Sequence, residues 1–234
     1  MTKPRILIIT TSRASMGSTE DRTGLWLEEL TTPYYAFTDG GAEVTVASIA
    51  GGPVPIDPRS SGGDAEKQVS VRRYLDDAAL QAKVADTQAF TSLDGGDYDA
   101  VFLPGGHGTM WDYPTSDELA GLVSSFLGAG KPVAAVCHGP AGLTAARTPA
   151  GEPIVKGKKV AGFTNSEEVS SGLAQVVPFL LEDKLRELGG EYDKGPDFAP
   201  FALRDGLLIT GQNPASAAKV AALTLEAVAD RVAV

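Results

Sequence analysis

Short runs of apolar residues alternate along the whole chain with longer segments of helical period. The first run, Arg5–Thr10, is rich in isoleucine and is typical of a strand buried on both faces. The same criteria predict further strands at 43–49, 98–103, 132–136, 158–163 and 206–210. They predict helices at 24–37, 72–89, 116–128, 140–146, 177–188 and 215–232. Repeated strand–helix alternation predicts an α/β fold with a doubly wound, mostly parallel sheet.

Two features interrupt this alternation. Residues 51–93 include Pro53, Pro55 and Pro58 and a Ser-Ser-Gly-Gly tract, so we expect an insertion or small cap packed onto the domain. Pro33 lies within the first helix and is expected to kink or split it. No linker is long enough to separate two domains, and residues 1–234 are therefore predicted to form one.

The charge of the chain limits its partners. With 20 basic and 30 acidic residues the formal net charge is −10, which repels phosphate backbones, so no nucleic-acid partner is expected. No apolar run approaches the roughly 18 residues of a membrane span, and the N-terminus has no signal-peptide pattern. We therefore expect a cytoplasmic protein with no membrane partner.

Cysteine and histidine are scarce. Cys137 is the single cysteine, and His107 and His138 are the two histidines. A disulfide within the chain and a cysteine-based zinc site are both excluded, and no metal or other cofactor is expected.

The most informative segment is Lys-Pro-Val-Ala-Ala-Val-Cys-His-Gly-Pro at residues 131–140. A buried strand stops at Cys137 and a helix of small residues is predicted to begin at once, which is the pattern of a nucleophile elbow with cysteine in place of serine. A sulfur near a helix N-terminus would favour the thiolate. A buried structural cysteine is the alternative. His138 could supply a base in the same pocket, although adjacent side chains are expected to diverge at a turn, without direct contact to the sulfur.

A glycine loop, Pro-Gly-Gly-His-Gly at 104–108, follows another predicted strand and lacks the Lys-Ser/Thr of a phosphate-binding loop. Its exposed amides could form an oxyanion hole, or the loop could be an ordinary turn. A histidine base needs a carboxylate to fix its tautomer, and the candidates near strand ends are Glu28, Glu29, Glu167 and Glu168. The residues alone do not choose among these four.

Three motifs together resemble the ThiJ/PfpI superfamily: Thr23-Gly24 with Glu29, Gly-Gly-His-Gly-Thr-Met-Trp-Asp-Tyr-Pro at 105–114, and Ala-Val-Cys-His-Gly-Pro at 135–140. The second motif is most similar to the branch of glutathione-independent (type III) glyoxalases, also described as heat-inducible chaperones. The resemblance implies a flavodoxin-like fold, like that of class I glutamine amidotransferases, and a homodimer.

The resemblance also implies residue roles. Cys137 matches the nucleophile, His138 the histidine that follows it, and Glu29 the acid that hydrogen-bonds the sulfur. Glu168 matches the carboxylate partner of the histidine, with Glu167 as a near neighbour.

In the same resemblance, Gly106 and His107, with the amide of His138, match the oxyanion site. Glutamine amidotransferases of the superfamily use a later His-x-Glu, and here no histidine follows His138, so glutaminase activity is not expected. The proteases of the superfamily are shorter chains.

The activity implied is that of a lyase of the D-lactate dehydratase type, which converts methylglyoxal, a small reactive aldehyde, to D-lactate without glutathione. The alternatives are a stress-induced holdase chaperone, a protein deglycase, and a redox sensor at Cys137.

Overall fold

The computed structural model describes residues 3–232, which form a central sheet covered by helices on both faces. The strands are β1 (Arg5–Thr10), β2 (Glu43–Ser48), β3 (Gln88–Ala89), β4 (Ala100–Leu103), β5 (Val133–Val136), β6 (Lys159–Val160), β7 (Glu191–Tyr192), β8 (Ala202–Asp205) and β9 (Leu208–Gly211). Seven of them form the main sheet in the order β3-β2-β1-β4-β5-β9-β8. All neighbours in it are parallel except β8, which runs antiparallel to β9. The predicted doubly wound, mostly parallel sheet is confirmed.

The helices are α1 (Leu27–Asp39), α2 (Val69–Leu75), α3 (Ala78–Ala85), α4 (Thr109–Asp112), α5 (Asp117–Gly128), α6 (Asn165–Ser170), α7 (Leu181–Glu187) and α8 (Ala217–Val232). Short 3-10 turns connect several of these elements, among them Pro58–Ser60 and Gly139–Leu143. Within residues 3–232, no helix combines the length and the apolar character needed to cross a membrane.

Alternate side chains of the central strands enter two different cores. On one face Leu7, Ile9, Val101 and Leu103 pack in a cluster with residues of α5, and on the other Ile6, Ile8 and Phe102 pack in a cluster with residues of α1 and α8. Because both faces are covered, the central strands β1, β4 and β5 are nearly continuous apolar runs, as the Ile-rich first strand indicated.

Helix α1 does not split at Pro33, which lies inside its 13 residues. Proline removes one helical hydrogen bond and costs about 3 kcal/mol in a helix interior. Here Leu30, Tyr34 and Phe37 are buried in the same core cluster as residues of α8, and this packing holds the helix together across the proline.

Three predicted elements were wrong in extent. The segment 72–89 is two helices, because the Asp77 side chain accepts the Leu80 N–H and starts α3, and the segment then ends in strand β3. The predicted strand 158–163 shrinks to β6, which pairs with β7 outside the main sheet. The predicted helix 140–146 is the 3-10 turn Gly139–Leu143.

Residues 51–93 pack against α1, where the Ser70 hydroxyl hydrogen-bonds the hydroxyls of Thr31 and Thr32. The segment also supplies edge strand β3 and the 3-10 turn Pro58–Ser60. Its description as a cap stays a prediction.

The turn after β5 requires glycine at 139. A Cβ there would lie 2.1 Å from the Leu103 carbonyl oxygen of β4, so we expect Gly139→Ala to destabilise the fold by about 3 kcal/mol. Gly121→Ala is the matched control, because Gly121 is an exposed residue of α5 whose added Cβ would meet nothing within 4 Å. This variant should stabilise the fold by about 0.5–1 kcal/mol. Urea unfolding of both variants measures the difference. Equal stability of the two variants would contradict this account of the turn.

Candidate functional site

The sulfur of Cys137 lies at the carboxyl edge of the sheet, directly after β5. Cys137 has φ 59, a left-handed backbone that is uncommon for a residue with a side chain and that marks strained functional turns. Two backbone hydrogen bonds hold this conformation: the Cys137 N–H donates to Gly211 O at 2.9 Å, and the Phe163 N–H donates to Cys137 O at 2.8 Å. The turn therefore has the geometry of a nucleophile elbow.

His138 contacts the neighbouring sulfur directly, with Nδ1 3.3 Å from Sγ of Cys137. The expectation that the two side chains diverge was wrong. That expectation assumed an ordinary backbone, whereas the left-handed φ of Cys137 changes the direction of its side chain relative to the next residue.

Glu168 is the carboxylate that reaches this histidine. Its Oε2 lies 2.7 Å from Nε2 of His138, and both side chains are almost fully buried. Glu168 is held by helix α6, whose N-cap Thr164 accepts the Glu167 N–H.

Glu167, one residue earlier, has a different function in the structure. Its Oε2 accepts the Thr164 N–H at 3.0 Å and completes the capping box of α6. Its Oε1 accepts the Phe198 N–H and the side-chain amides of Gln212 and Asn213 at 2.7–3.0 Å. Of the two neighbouring glutamates, only Glu168 lies against the histidine.

His107, which the sequence placed in the oxyanion loop, turns its ring towards the same carboxylate. Nε2 of His107 lies 2.8 Å from Oε1 of Glu168, and the two histidine rings are 4.1 Å apart between centroids. One buried glutamate thus holds both histidines of the chain.

Gly106 brings the loop close to the start of α1. Its φ is +101, and a Cβ would lie 2.2 Å from Gly24 O and 2.5 Å from the Trp26 nitrogen. Only glycine fits at this close approach. Gly106 lines the pocket beside Cys137, where its amide is available as an oxyanion donor.

Arg59 is a pocket residue that sequence reasoning missed. Its Nη2 lies 3.1 Å from Nδ1 of His107, and its guanidinium makes a bidentate pair with Asp57 at 2.9 and 2.6 Å. Asp57 in turn accepts the hydroxyl of Thr23 at 3.1 Å. Thr23 belongs to the Thr23-Gly24 motif, but nothing in the spacing of that motif points to an arginine 36 positions later. No sequence signal therefore identified Arg59.

These contacts settle the proton positions by elimination. An arginine can only donate, so Nδ1 of His107 is an acceptor and its Nε2 carries the hydrogen given to Glu168. Burial and, to a smaller extent, the nearby His138 lower the pKa of His107 to about 4, against a raising effect of Glu168, so the ring is neutral. Burial alone would raise the pKa of Glu168, but the two histidines hold it well below its usual range. An ionised Glu168 accepts from Nε2 of His138, which leaves Nδ1 of His138 to face the sulfur.

Glu29 lies in α1, fully buried beneath the loop. Its Oε2 accepts the Gly105 N–H at 2.7 Å, and its Oε1 has no hydrogen-bond partner within residues 3–232. Burial raises the pKa of Glu29 to about 8, against smaller lowering effects of the Cys137 thiol and the Gly105 N–H. Glu29 is therefore a neutral acid at neutral pH. Glu28 is half-buried and does not line the pocket that contains Cys137.

The expectation of a thiolate favoured by a helix N-terminus was wrong. Burial raises the pKa of the Cys137 thiol well above its ordinary value, and the nearby Glu29 adds to this, against a lowering by the His138 N–H. Cys137 is 3 % exposed, and the segment that follows it is a five-residue 3-10 turn and not an α-helix. The resting sulfur is therefore a neutral thiol that faces Nδ1 of His138.

The pocket over the sulfur has a volume of about 350 Å³, in the range of small-molecule sites. Cys137 and both histidines line it together with three aromatic side chains, Trp26, Phe163 and Phe198. Phe198 stands at φ 57 and is half exposed at the pocket. The arrangement suits a small apolar electrophile brought to a sulfur nucleophile.

A ligand atom from each of His107, His138 and Glu168 lies within 4.8 Å of the other two, a spacing that would suit a cation. Both Nε2 atoms, however, carry the hydrogens that they donate to Glu168 and offer no lone pair. The three residues fit a hydrogen-bond network and not a metal centre.

The protonation of Glu29 predicts how stability changes with pH. Its pKa is about 8 in the fold and near 4.5 when unfolded, so its contribution is complete below pH 4.5 and is lost as pH rises through 8. We expect wild type to lose about 1.4 kcal/mol per pH unit more than Glu29→Gln between these values. Urea unfolding at pH 5, 7 and 9 measures this, with exposed Glu66→Gln as the control that keeps the wild-type slope. Parallel slopes for wild type and Glu29→Gln would show that Glu29 is ionised in the fold.

Three similar proteins have names that bear on function. The chain is 32 % identical over 229 residues to glyoxalase 3 of Candida albicans, covering 92 % of this chain and 94 % of that protein. It is 31 % identical to the glutathione-independent glyoxalase HSP31 of Saccharomyces cerevisiae, covering 96 % and 98 %. It is also 31 % identical to the protein/nucleic acid deglycase HchA of Pseudomonas aeruginosa, covering 84 % and 71 %.

Solved structures agree with these relatives. The Rapid Encystment Protein 24 KDa of Francisella tularensis is 36 % identical with a TM-score of 0.92, covering 96 % of this chain and 99 % of that one. Glyoxalase III of Candida albicans is 29 % identical with a TM-score of 0.88, covering 96 % and 97 %. The model of the DJ-1/PfpI family matches residues 23–227, and the chain therefore belongs to the DJ-1/PfpI family.

Proposed function

We propose that this protein is a glutathione-independent glyoxalase, an enzyme that converts methylglyoxal and water to D-lactate. The observation that carries the proposal is the 3.3 Å contact between Sγ of Cys137 and Nδ1 of His138, with Nε2 of His138 anchored on Glu168. A nucleophile, a base and the group that orients the base thus meet in one pocket. The glyoxalases among the similar proteins support the same reaction.

The first step is addition of sulfur to the aldehyde. As Cys137 attacks the aldehyde carbon, its proton passes to Nδ1 of His138, and the carbonyl π pair moves onto oxygen. The amides of Gly106 and His138 stabilise that oxyanion. As the thiolate forms, the neutral Glu29 carboxyl turns its hydrogen towards the sulfur, since Oε1 has no other partner within residues 3–232, and this bond offsets part of the burial that raises the pKa of the resting thiol. Protonation of the oxyanion by His138 gives the hemithioacetal.

The second step moves a proton between neighbouring carbons. His138 removes the hydrogen from the former aldehyde carbon, which gives an enediolate. The hydroxyl hydrogen passes from the oxygen on that carbon to the neighbouring oxygen, and His138 returns its proton to the adjacent carbon, which gives a lactate thioester. Ionised Glu168 stabilises the imidazolium that His138 becomes in between. Water activated by His138 then cleaves the thioester, which releases D-lactate and restores the thiol.

The alternatives differ in what supports them. Deglycation would use the same residues, and the HchA relative favours it as the second candidate. A redox sensor needs an accessible sulfur of low pKa, whereas Cys137 is buried and its pKa is raised. A holdase would use an exposed apolar patch. The large apolar side chains that are exposed within residues 3–231 are Val69, Leu75, Val169, Val176 and Phe198. The homodimer, the cytoplasmic location and the absence of a nucleic-acid partner stay proposals.

A D-lactate assay with methylglyoxal and no glutathione tests the proposed function. We expect turnover by the wild type, a loss of at least about a thousandfold for Cys137→Ser, and a loss of about 10²–10⁴-fold for His138→Gln. Thermal unfolding of each variant checks that the fold is intact. D-lactate formation by folded Cys137→Ser at the wild-type rate would refute covalent catalysis. Turnover of glycated amines without turnover of free methylglyoxal would favour the deglycase.

The hydrogen-bond network predicts that the activity needs no metal. Because both Nε2 atoms donate to Glu168, dialysis against a chelator should leave kcat/KM unchanged within twofold. The control is the same dialysed sample with zinc restored. A loss of activity on dialysis that zinc reverses would contradict this reading of the cluster.

A further inference from the structure

Arg59 contributes the one cationic side chain among the residues that line the pocket, and its charge is already compensated. Asp57 is fully buried and accepts the Arg59 backbone N–H, Nε and Nη2, all at 2.9 Å or less. The remaining contact of Nη2 is Nδ1 of His107, at 3.1 Å. The guanidinium therefore acts on His107 mainly as a hydrogen-bond donor held in place by Asp57.

From this geometry we infer that Arg59 is a positioning residue: its hydrogen bond keeps Nδ1 of His107 free of a proton. A neutral His107 leaves the negative charge of Glu168 available to stabilise a positively charged His138. The inference rests on the proposed function, in which His138 becomes positively charged during the proton transfer. Arg59 itself acts through His107 and Glu168.

A second proton on His107 would interfere with His138 in two ways. The two rings are 4.1 Å apart, so two imidazolium charges would repel each other directly. Both rings also share one carboxylate, at 2.8 and 2.7 Å, so a charged His107 would compete for it. A proton on Nδ1 of His107 is the one change that produces both effects.

Several groups around His107 decide whether it takes that proton. Burial opposes a charged His107 most strongly and the nearby His138 and Arg59 add to this, whereas Glu168 favours the charged ring. Asp57 lies behind Arg59, and the Cys137 thiol lies beyond His138. The remaining ring neighbour, Phe163, is apolar and 6.0 Å away between centroids. Of the opposing groups, only Arg59 occupies the nitrogen that would be protonated.

The experiment reads the protonation of both histidines directly. The chain has two histidines, so ¹⁵N NMR of the ring nitrogens resolves and assigns each of them without any need for turnover. The variants are Arg59→Met, which removes the donor, and Arg59→Lys, which retains one. Arg73→Met is the matched control, because Arg73 also makes a bidentate pair with an aspartate, Asp39, and this pair is exposed.

In wild type and in Arg73→Met we expect a neutral His107 with the hydrogen on Nε2 and a pKa of about 4. In Arg59→Met we expect the pKa of His107 to rise by about one unit, to about 5, because the donor on Nδ1 is gone while burial and His138 still hold the pKa below the ordinary value of histidine. Arg59→Lys should fall between the two. A His107 that titrates in Arg59→Met as it does in wild type would overturn the inference.

The double variant Asp57→Asn/Arg59→Met separates the lost donor from the orphaned charge. Arg59→Met alone leaves buried Asp57 without its partner, and that negative charge could itself raise the pKa of His107. If the rise persists in the double variant, the missing hydrogen bond is the cause. If the rise disappears, Asp57 is the cause and the inference fails.

The pH profile of kcat/KM connects the NMR result to catalysis. With a pKa near 5, about nine-tenths of Arg59→Met carries a charged His107 at pH 4, so kcat/KM should fall about tenfold below its plateau there. Wild type and Arg73→Met, with a His107 pKa of about 4, should fall only about twofold at that pH. An unshifted acid limb in Arg59→Met would overturn the role in catalysis. Failure of wild type to form D-lactate would instead refute the proposed function. The NMR experiment would still show whether Arg59 controls the protonation of His107.

Discussion

The left-handed backbone of Cys137 is the constraint on which the rest of the site depends. A residue with a side chain in this conformation costs about 1–3 kcal/mol, and the surrounding structure has to supply that energy. It does so by hydrogen bonds to Gly211 and Phe163 on either side and by a close approach of Gly139 to β4. The strain places Sγ against Nδ1 of His138, which an unstrained turn would not do.

Two buried glutamates have opposite charge states in this pocket, and the difference comes from their surroundings. Glu168 receives hydrogen bonds from two imidazoles and stays ionised, whereas Glu29 receives one backbone N–H in an apolar setting and stays protonated. Environments that separate the pKa values of neighbouring carboxyls often mark acid–base chemistry. In the proposed reaction the ionised acid orients the base, and the neutral acid donates to sulfur.

The hydrogen bonds extend beyond the sulfur in one direction, from His138 through Glu168 and His107 to Arg59 and Asp57. Each donor in this series meets an acceptor, so every ring nitrogen has one defined state. The segment 51–93 interrupts the alternating pattern of the sequence. It lines the pocket over Cys137 through the side chain of Arg59.

The sequence by itself determined the fold class, a mostly parallel sheet in an α/β fold, and singled out Cys137 as the candidate nucleophile. Continuous apolar runs predict strands buried on both faces, and a single cysteine at the end of one of them leaves no competing sulfur. These features are local, and they can be read from neighbouring residues. The choice of Glu168 over Glu167, the contact of His138 with sulfur, the contact made by Arg59 and the raised pKa of Cys137 required the tertiary structure. They depend on burial, on one strained φ angle and on side chains as far apart in the chain as Glu29 and Cys137, and no local pattern of residues encodes these quantities.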